Sequence, residues 1–364
     1  MFQGNIFQNF TWPYYLNYIT SFMVVTTLFF VILIFIYLRQ KKKNFIIQNG
    51  IKKSLELWIS KILLDENEIK VADLNVPLKF QKHFKSDAKR EFTVNQLIDI
   101  KKNLRGNVIV NVIHLYEHLG FKKDSVRKLK SNVWHKKVKG INELFMMEQK
   151  DMLDLIYECI NSHNEYVRME AQTAMIHFQG FEGLNFLDAI THPISDWEQL
   201  KLLEQLKTLD FIEMPNLVQW LKSSNSTVVV FALKLAFVYQ QFEVHDAVVE
   251  CLEHEDEKVR VQAVKTLSRI AREDTATILA KHYTKEHFTN RQNILNCLSS
   301  IASDNEKDFL VTELNDQNDS LKVAAARVLA KCCTNGLEIL VNKARHQPDP
   351  YQNIYFHIKS ELQF

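Results

Sequence analysis

The residues best suited to chemistry are His114-Leu-Tyr-Glu117-His118. Imidazoles four residues apart share one helical face. In the order H-x-x-E-H, two histidines hold a zinc ion and the carboxylate serves as general base. A hydrolytic zinc centre also needs a third protein ligand and a walled pocket. No acidic cluster stands out downstream, and the surroundings are rich in lysine. A zinc hydrolase built on His114, Glu117 and His118 is therefore the lesser expectation, and a surface or packed histidine pair the greater. Cys159, Cys251, Cys297, Cys332 and Cys333 lie inside helical patterns with no C-x-x-C pair, which excludes zinc-ribbon and thioredoxin-type motifs. They read as buried thiols in a reducing compartment. The patterns G-x-x-x-x-G-K-[ST], G-x-G-x-x-G and G-x-S-x-G do not occur. No catalytic residue, metal or cofactor is expected.

The elements behind these residues are helical. Among 364 residues there are only 8 Gly and 6 Pro, about 4% where an average chain has roughly 12%. Such a chain has few turns to spare for an all-β fold. Hydrophobic residues make up 46% and charged residues 24%, which is a folding composition. The net charge of +2 conceals a three-part order. Residues 1–38 carry no Lys, Arg, Asp or Glu, residues 39–139 hold 24 basic against 10 acidic, and residues 140–364 hold 21 against 33.

The neutral piece predicts a transmembrane helix over 16–38, preceded by a short extracytoplasmic N-terminus at 1–15. The 23 residues from Leu16 to Leu38 are uncharged, and about 20 helical residues cross a bilayer core of roughly 30 Å. Trp12, Tyr14, Tyr15 and Tyr18 precede the apolar run and Tyr37 ends it, as suits residues at the two interfaces. Arg39, Lys41, Lys42 and Lys43 follow immediately, whereas no cation precedes the helix. The positive-inside rule predicts a single-pass protein with its N-terminus outside and residues 39–364 in the cytoplasm. A cleaved signal would need a basic n-region and a small-residue cleavage site, and neither is evident.

Residues 39–131 form a basic juxtamembrane region, helical over 94–104 and 107–119, with Gly106 and Gly120 as punctuation and Pro77 in an irregular stretch at 70–90. Its positive charge, led by Arg39, Lys41, Lys42 and Lys43, favours contact with anionic lipid, each cation contributing about 1 kcal/mol near the surface. Nucleic acid is not the expected partner.

Beyond residue 132 the chain repeats. Asp256-Glu-Lys-Val259-Arg260-x-x-Ala263-x-x-x-Leu267 recurs at Asn225 (Val228, Ala232), at Asn318 (Leu321, Lys322, Ala325, Leu329) and at Asn164 (Val167, Arg168, Ala171). The Asx residue can cap a helix, and Val, Ala and Leu at spacings of four share its buried face. A second amphipathic run precedes each copy, as in Ala247–Leu252 and Phe309–Leu314. Each unit is thus an A helix and a B helix. A degenerate copy runs through Asn290, Arg291, Ile294 and Leu298; the unit near Trp197–Leu206 matches only in helical pattern, and a further unit around Trp134–Leu144 is plausible from its apolar spacing. Gly180 and Gly183 read as a cap and a turn. Trp134, Trp197 and Trp220 read as core anchors.

These residues resemble HEAT repeats, the armadillo-type α-solenoid family. The resemblance spans about 210 residues, 132–341, with 342–364 as a C-terminal cap or tail. It implies an all-α fold: a transmembrane helix followed by a right-handed α-solenoid of HEAT-like helix pairs, with B helices lining a concave face used for binding proteins. Arg168 and Arg260 then take a structural role, pairing with turn residues such as Asp256. His254-Glu255 is similar to the His-Glu pairs of HEAT-type di-iron hydroxylases, but that activity needs several pairs, and one is present. The expected function is a non-enzymatic membrane-anchored scaffold or adaptor whose partners are other proteins. The candidate surface positions are Gln172, Gln262, Lys265, Arg269, Arg327 and Lys331. An accessory subunit of a membrane enzyme or export complex is the alternative.

Overall fold

The computed structural model describes residues 12–64, 76–103, 108–209, 214 and 216–362, and contains no strand among them. Residues 1–11 of the expected N-terminal segment, Gly106, and residues 70–75 of the expected irregular stretch lie outside the described residues. The chain divides into two units, Met1–Lys123 and Asp124–Phe364.

The first unit opens with α1, Trp12–Leu64, an unbroken helix of 53 residues. Its apolar stretch is long enough to cross a membrane, and none of that stretch is buried. The side chains from Phe22 to Leu38 stand out from the helix, Phe22 at 69% exposure and Leu38 at 54%. A core helix would cover such a surface, because burying apolar area is the main favourable term in folding. The helix does not stop at residue 38, since nothing in 39–58 breaks it. Its last turns instead enter a small core: Leu55 is fully buried, and the Trp58 ring lies 5.2 Å from that of Phe80. That core is completed by α2 (Leu78–His83), α3 (Asp87–Asn103) and α4 (Val108–His118), through Val94, Leu97, Val112, Leu115 and Tyr116. At Gly120, with φ of 69°, the chain turns into α5 (Phe121–Leu129). Arg90 closes the turn, donating to Gly120 O at 3.1 Å and lying over the Phe121 ring at 4.9 Å.

The second unit is a row of helix pairs with one continuous core from Leu129 to Ile358. It begins at Asp124, and Leu129 belongs to the same core as Ile141 and Leu144. The B helices are α6 (Trp134–Met146), α8 (Glu165–Gln179), α9 (Asp196–Leu206), α11 (Ser226–Val238), α13 (Glu257–Leu267), α15 (Phe288–Ile301), α17 (Asp319–Cys332) and α19 (Pro348–Leu362). Consecutive B helices pack on one another from α6 to α9 and from α11 to α19. The A elements between them are shorter: α7 (Leu153–Tyr157), the 3₁₀ run Gly180–Ala189, α10 (Leu217–Leu221), α12 (His245–Glu250), α14 (Thr275–His282), α16 (Lys307–Glu313) and α18 (Gly336–His346). The C-terminal segment is therefore mostly a further B helix, tied back by Tyr351, which donates to Leu314 O at 2.7 Å.

The repeated residues do the local work expected of them. Asn164, Asn225, Asp256 and Asn318 each accept from a backbone amide two residues on. Ser195 forms a capping box with Glu198, which sets the register of the unit left open by the sequence pattern. Val167, Ala171, Val259, Ala263, Leu321 and Ala325 are all buried. Gly180 is the cap of α8, with φ of 64° and its amide on Ile176 O. Gly183 is no turn: it lies within the 3₁₀ run, where a Cβ would run into the main chain of Met175 and Ile176.

Gly183→Ala is accordingly expected to lower stability by about 1–3 kcal/mol, the range for forced overpacking. Gly50→Ala, where a Cβ meets nothing within 4 Å, is expected to leave it unchanged or raised. Thermal melting of the detergent-solubilised full chain distinguishes the two.

Candidate protein-docking face

The arginines of the repeat motif are turned inward as clips. Arg168 donates through Nη1 to Ser162 O and His163 O, at 2.9 and 3.2 Å, and through Nε to Glu198 of the next unit at 3.3 Å. Arg260 copies this with His254 O, Glu255 O and Glu286, at 2.9, 2.9 and 2.8 Å. Arg291 does so with Glu286 O and Thr284 O, its Nη1 standing 3.7 Å from Asp316. The turn partners are thus carbonyls and not Asp256, whose carboxylate is occupied capping α13 through Lys258 N. Five donors in a fixed fork can take two carbonyls and a carboxylate together. Lys322 stands in the same position and holds Asp319, at 2.8 Å.

Each clip closes one unit onto the next. Glu286 and Glu198 are nearly fully buried. Burial alone would raise the Glu286 carboxyl, but the hydrogen bonds from Arg260 and from His282 (2.9 Å), with the Arg260 charge, outweigh it and hold the group below its ordinary value. Other ties carry the same repeat spacing: Asn161 to Ala189 O, Trp220 Nε1 to Asp188, and Thr266 to Leu233 O.

The candidate catalytic groups are not assembled. His114, Glu117 and His118 are all exposed on α4, and no group of three potential metal ligands occurs among the described residues. His254 accepts from Asp256 N within its turn. One triad-like array does occur: His245 lies 2.8 Å from the Thr275 hydroxyl and 3.2 Å from Asp246. Thr275 is fully buried and already accepts from Arg272 N, so no substrate carbonyl reaches its hydroxyl and the array is a tie between units. All five cysteines are free thiols, four of them buried. Burial pushes Cys251 up to about 11 and Cys297 to about 12, so both stay protonated and unreactive at neutral pH.

The candidate surface positions fall on the B helices. Lys265, Arg269 and Lys331 are exposed there, and Gln262 and Arg327 are half-buried. Arg327 also holds Glu361 through two bonds of 2.8 and 2.9 Å, fastening α19. Gln172 does not belong with them. It is buried and donates to Ile160 O, because its position, eight residues after the cap, faces the turn that follows α7. Open grooves run between successive B helices, one lined by Lys265, Ser268, Asn293 and Ser300, another by Gln292, Asn296, Val323 and Arg327.

The tryptophans divide differently from the expectation. Trp220 is buried, but Trp134 and Trp197 are 47% and 56% exposed, as is Tyr166 at 48%. These three rings sit in the first turns of α6, α8 and α9, before the buried stripe begins three residues after the cap at positions such as Val167. Trp134 stacks on Tyr166 with centroids 5.3 Å apart, and Lys201 lies over Trp197. Counting from the cap would have revealed this row.

A stack of two-helix units around one continuous core is an α-solenoid. Residues 245–330, from α12 through most of α17, match the profile of HEAT repeats, so the chain carries HEAT repeats. No curated protein matches the sequence. Among solved structures, an engineered protein is 15% identical over 76% of this chain and 86% of its own, with a TM-score of 0.37. Human deoxyhypusine hydroxylase in complex with glycerol is 14% identical over 86% and 96%, with a TM-score of 0.29. The complex of CpcE and CpcF of phycocyanin lyase from a Nostoc species is 13% identical over 82% and 99%, with a TM-score of 0.25. Likenesses this loose carry no functional weight.

Arg260→Ala is expected to cost about 3 kcal/mol, because it strands Glu286 and two turn carbonyls. The sign of its pH dependence follows from the lowered Glu286 carboxyl. The native chain holds that contribution above the ordinary value of 4.5 and loses it as pH falls through the lower folded value. Melting curves from pH 7 to pH 3 should therefore converge for the native chain and the variant at the acid end.

Proposed function

We propose that this chain is a single-pass membrane scaffold, without catalytic activity of its own, that docks partner proteins on the exposed side of its B helices at the cytoplasmic membrane face. The observation that carries the membrane part is the bare apolar surface of α1 from Phe22 to Leu38, bounded at once by exposed Arg39, Lys41, Lys42 and Lys43. As a helix, the 23 residues from Leu16 to Leu38 extend about 34 Å, enough to cross a core of roughly 30 Å with slight tilt. The four cations then lie at the headgroups, where anionic lipid attracts them. From Arg39 the same helix runs on to Leu55 in the core of the first unit, about 24 Å along its axis. The anchor and that unit are one rod, which keeps the unit close to the bilayer.

The docking part is supported by the division of labour among side chains. The motif arginines and the buried acids are consumed in holding units together, whereas Lys265, Arg269 and Lys331 are exposed and make no ion pair among the described residues.

Protease treatment of sealed vesicles tests the arrangement. Residues 140–364 should be protected in right-side-out vesicles and digested in inverted ones; the reverse pattern sinks the proposed topology. Replacing Arg39, Lys41, Lys42 and Lys43 by Gln should yield mixed orientation in the same assay. For the docking part, a photo-crosslinker at position 292, in the B-helix groove, should capture protein in intact membranes, and one at position 243, in the short turn that leads into α12, should not.

A further inference from the structure

The four B helices α11, α13, α15 and α17 have their caps 31 residues apart, at Asn225, Asp256, His287 and Asn318. Equal spacing puts equivalent positions in rows across the stack. The row nine residues after the cap reads Lys234, Lys265, Asn296, Arg327, and the row thirteen after it reads Val238, Arg269, Ser300, Lys331. No acidic residue occupies either row, nor the positions five and six after the cap, where Gln262, Gln292 and Asn293 stand. One A stretch is opposite in character. From Phe242 to Glu253 it exposes Glu243, Asp246, Glu250 and Glu253 and carries no Lys or Arg. This part of the chain is acidic in sum, yet its B side is cationic. The polarity is a property of the fold and is invisible in the net charge.

We propose that the B side over residues 230–331 binds an extended acidic segment of a partner protein. This rests on the docking reading above and names the chemistry of its partner. Charge complementarity selects the sign, because an acidic chain is drawn to the B rows and repelled by the stretch from Phe242 to Glu253. Side-chain amides and hydroxyls between the cations select a polypeptide, since Gln262, Gln292, Asn293 and Asn296 can give and take hydrogen bonds with a main chain. Neighbouring helices stand about 10 Å apart, and an extended chain advances about 3.3 Å per residue. A carboxylate on every third residue therefore meets successive B helices in step. Lys234 is shared with Asp196 and Gln199, and Arg327 with Glu361, so Lys265, Arg269 and Lys331 carry most of the attraction.

The full chain in phosphatidylcholine nanodiscs is titrated into two fluorescein-labelled 15-residue peptides, with Glu or with Lys at every third position among Ser and Leu. The Glu peptide is expected to bind with an affinity that falls as salt rises, and the Lys peptide is expected not to bind. The double variant K265E/R269E should weaken binding of the Glu peptide about tenfold or more, K331E should weaken it by less, and Glu243→Lys on the A side should not weaken it. None of these changes removes a described contact, and circular dichroism should confirm unaltered melting. Equal binding of both peptides, or undiminished binding by K265E/R269E, overturns the proposal. So does an oligonucleotide that binds more tightly than the Glu peptide and is lost in the same variant. Capture of protein at position 292 without binding of the Glu peptide overturns the acidic partner while leaving the docking reading intact.

Discussion

A pair of short helices cannot bury its own apolar stripe, and the second unit of this protein is organised around that constraint. Every pair from α6 to α19 completes its core with residues of its neighbours, so one apolar interior runs from Leu129 to Ile358. Closeness between units depends on small residues where helices meet, Ala171, Ala263 and Ala325 in the B helices and Gly183 against α8. Directionality depends on the arginine clips. Arg168, Arg260 and Arg291 each hold the turn of their own unit, and each faces an acid beyond it, Glu198, Glu286 or Asp316. A buried charge left without its partner is costly, so neighbouring units are bound to a single relative placement.

Function follows from what this arrangement leaves over. Chemistry at a centre needs converging groups in an accessible cavity. Among the described residues, the hydroxyl–imidazole–carboxylate array of Thr275, His245 and Asp246 is sealed inside a joint between units, and burial keeps Cys251 and Cys297 protonated. The surface instead offers repeated side chains at repeated intervals, which suits recognition of something long. The same regularity gathers cations on the B rows, while the A stretch from Phe242 to Glu253 exposes only carboxylates among its charged groups. The first helix is continuous from its exposed apolar stretch into the core of the first unit, so the two are mechanically one piece.

Much of this was legible in the amino-acid order because the interactions involved are local. An Asx residue three positions before Val and seven before Ala predicts a capped helix with one buried face, and Asn164, Asp256 and Asn318 behave so. The helical character of the chain, the apolar run of α1 and its cationic border are likewise properties of consecutive residues. So is the HEAT pattern itself.

Tertiary structure alone decided what lies across a joint or around a helix. Glu198 and Glu286 lie thirty and twenty-six residues beyond the arginines they hold, a distance at which no local rule links them. Gln172 looked like a surface residue but is buried and bonded to the turn after α7, and Trp134 and Trp197 looked like anchors until their place in the first helical turn left them outside. The continuity of α1 through residue 64 and the membership of α18 and α19 in the stack were settled by packing partners, Phe80 and Leu314, that lie far away in the chain. Sequence determines which face of a helix is apolar, because that is a matter of periodicity. Which neighbour covers that face, and which polar groups are left facing water, depends on how the units meet in space.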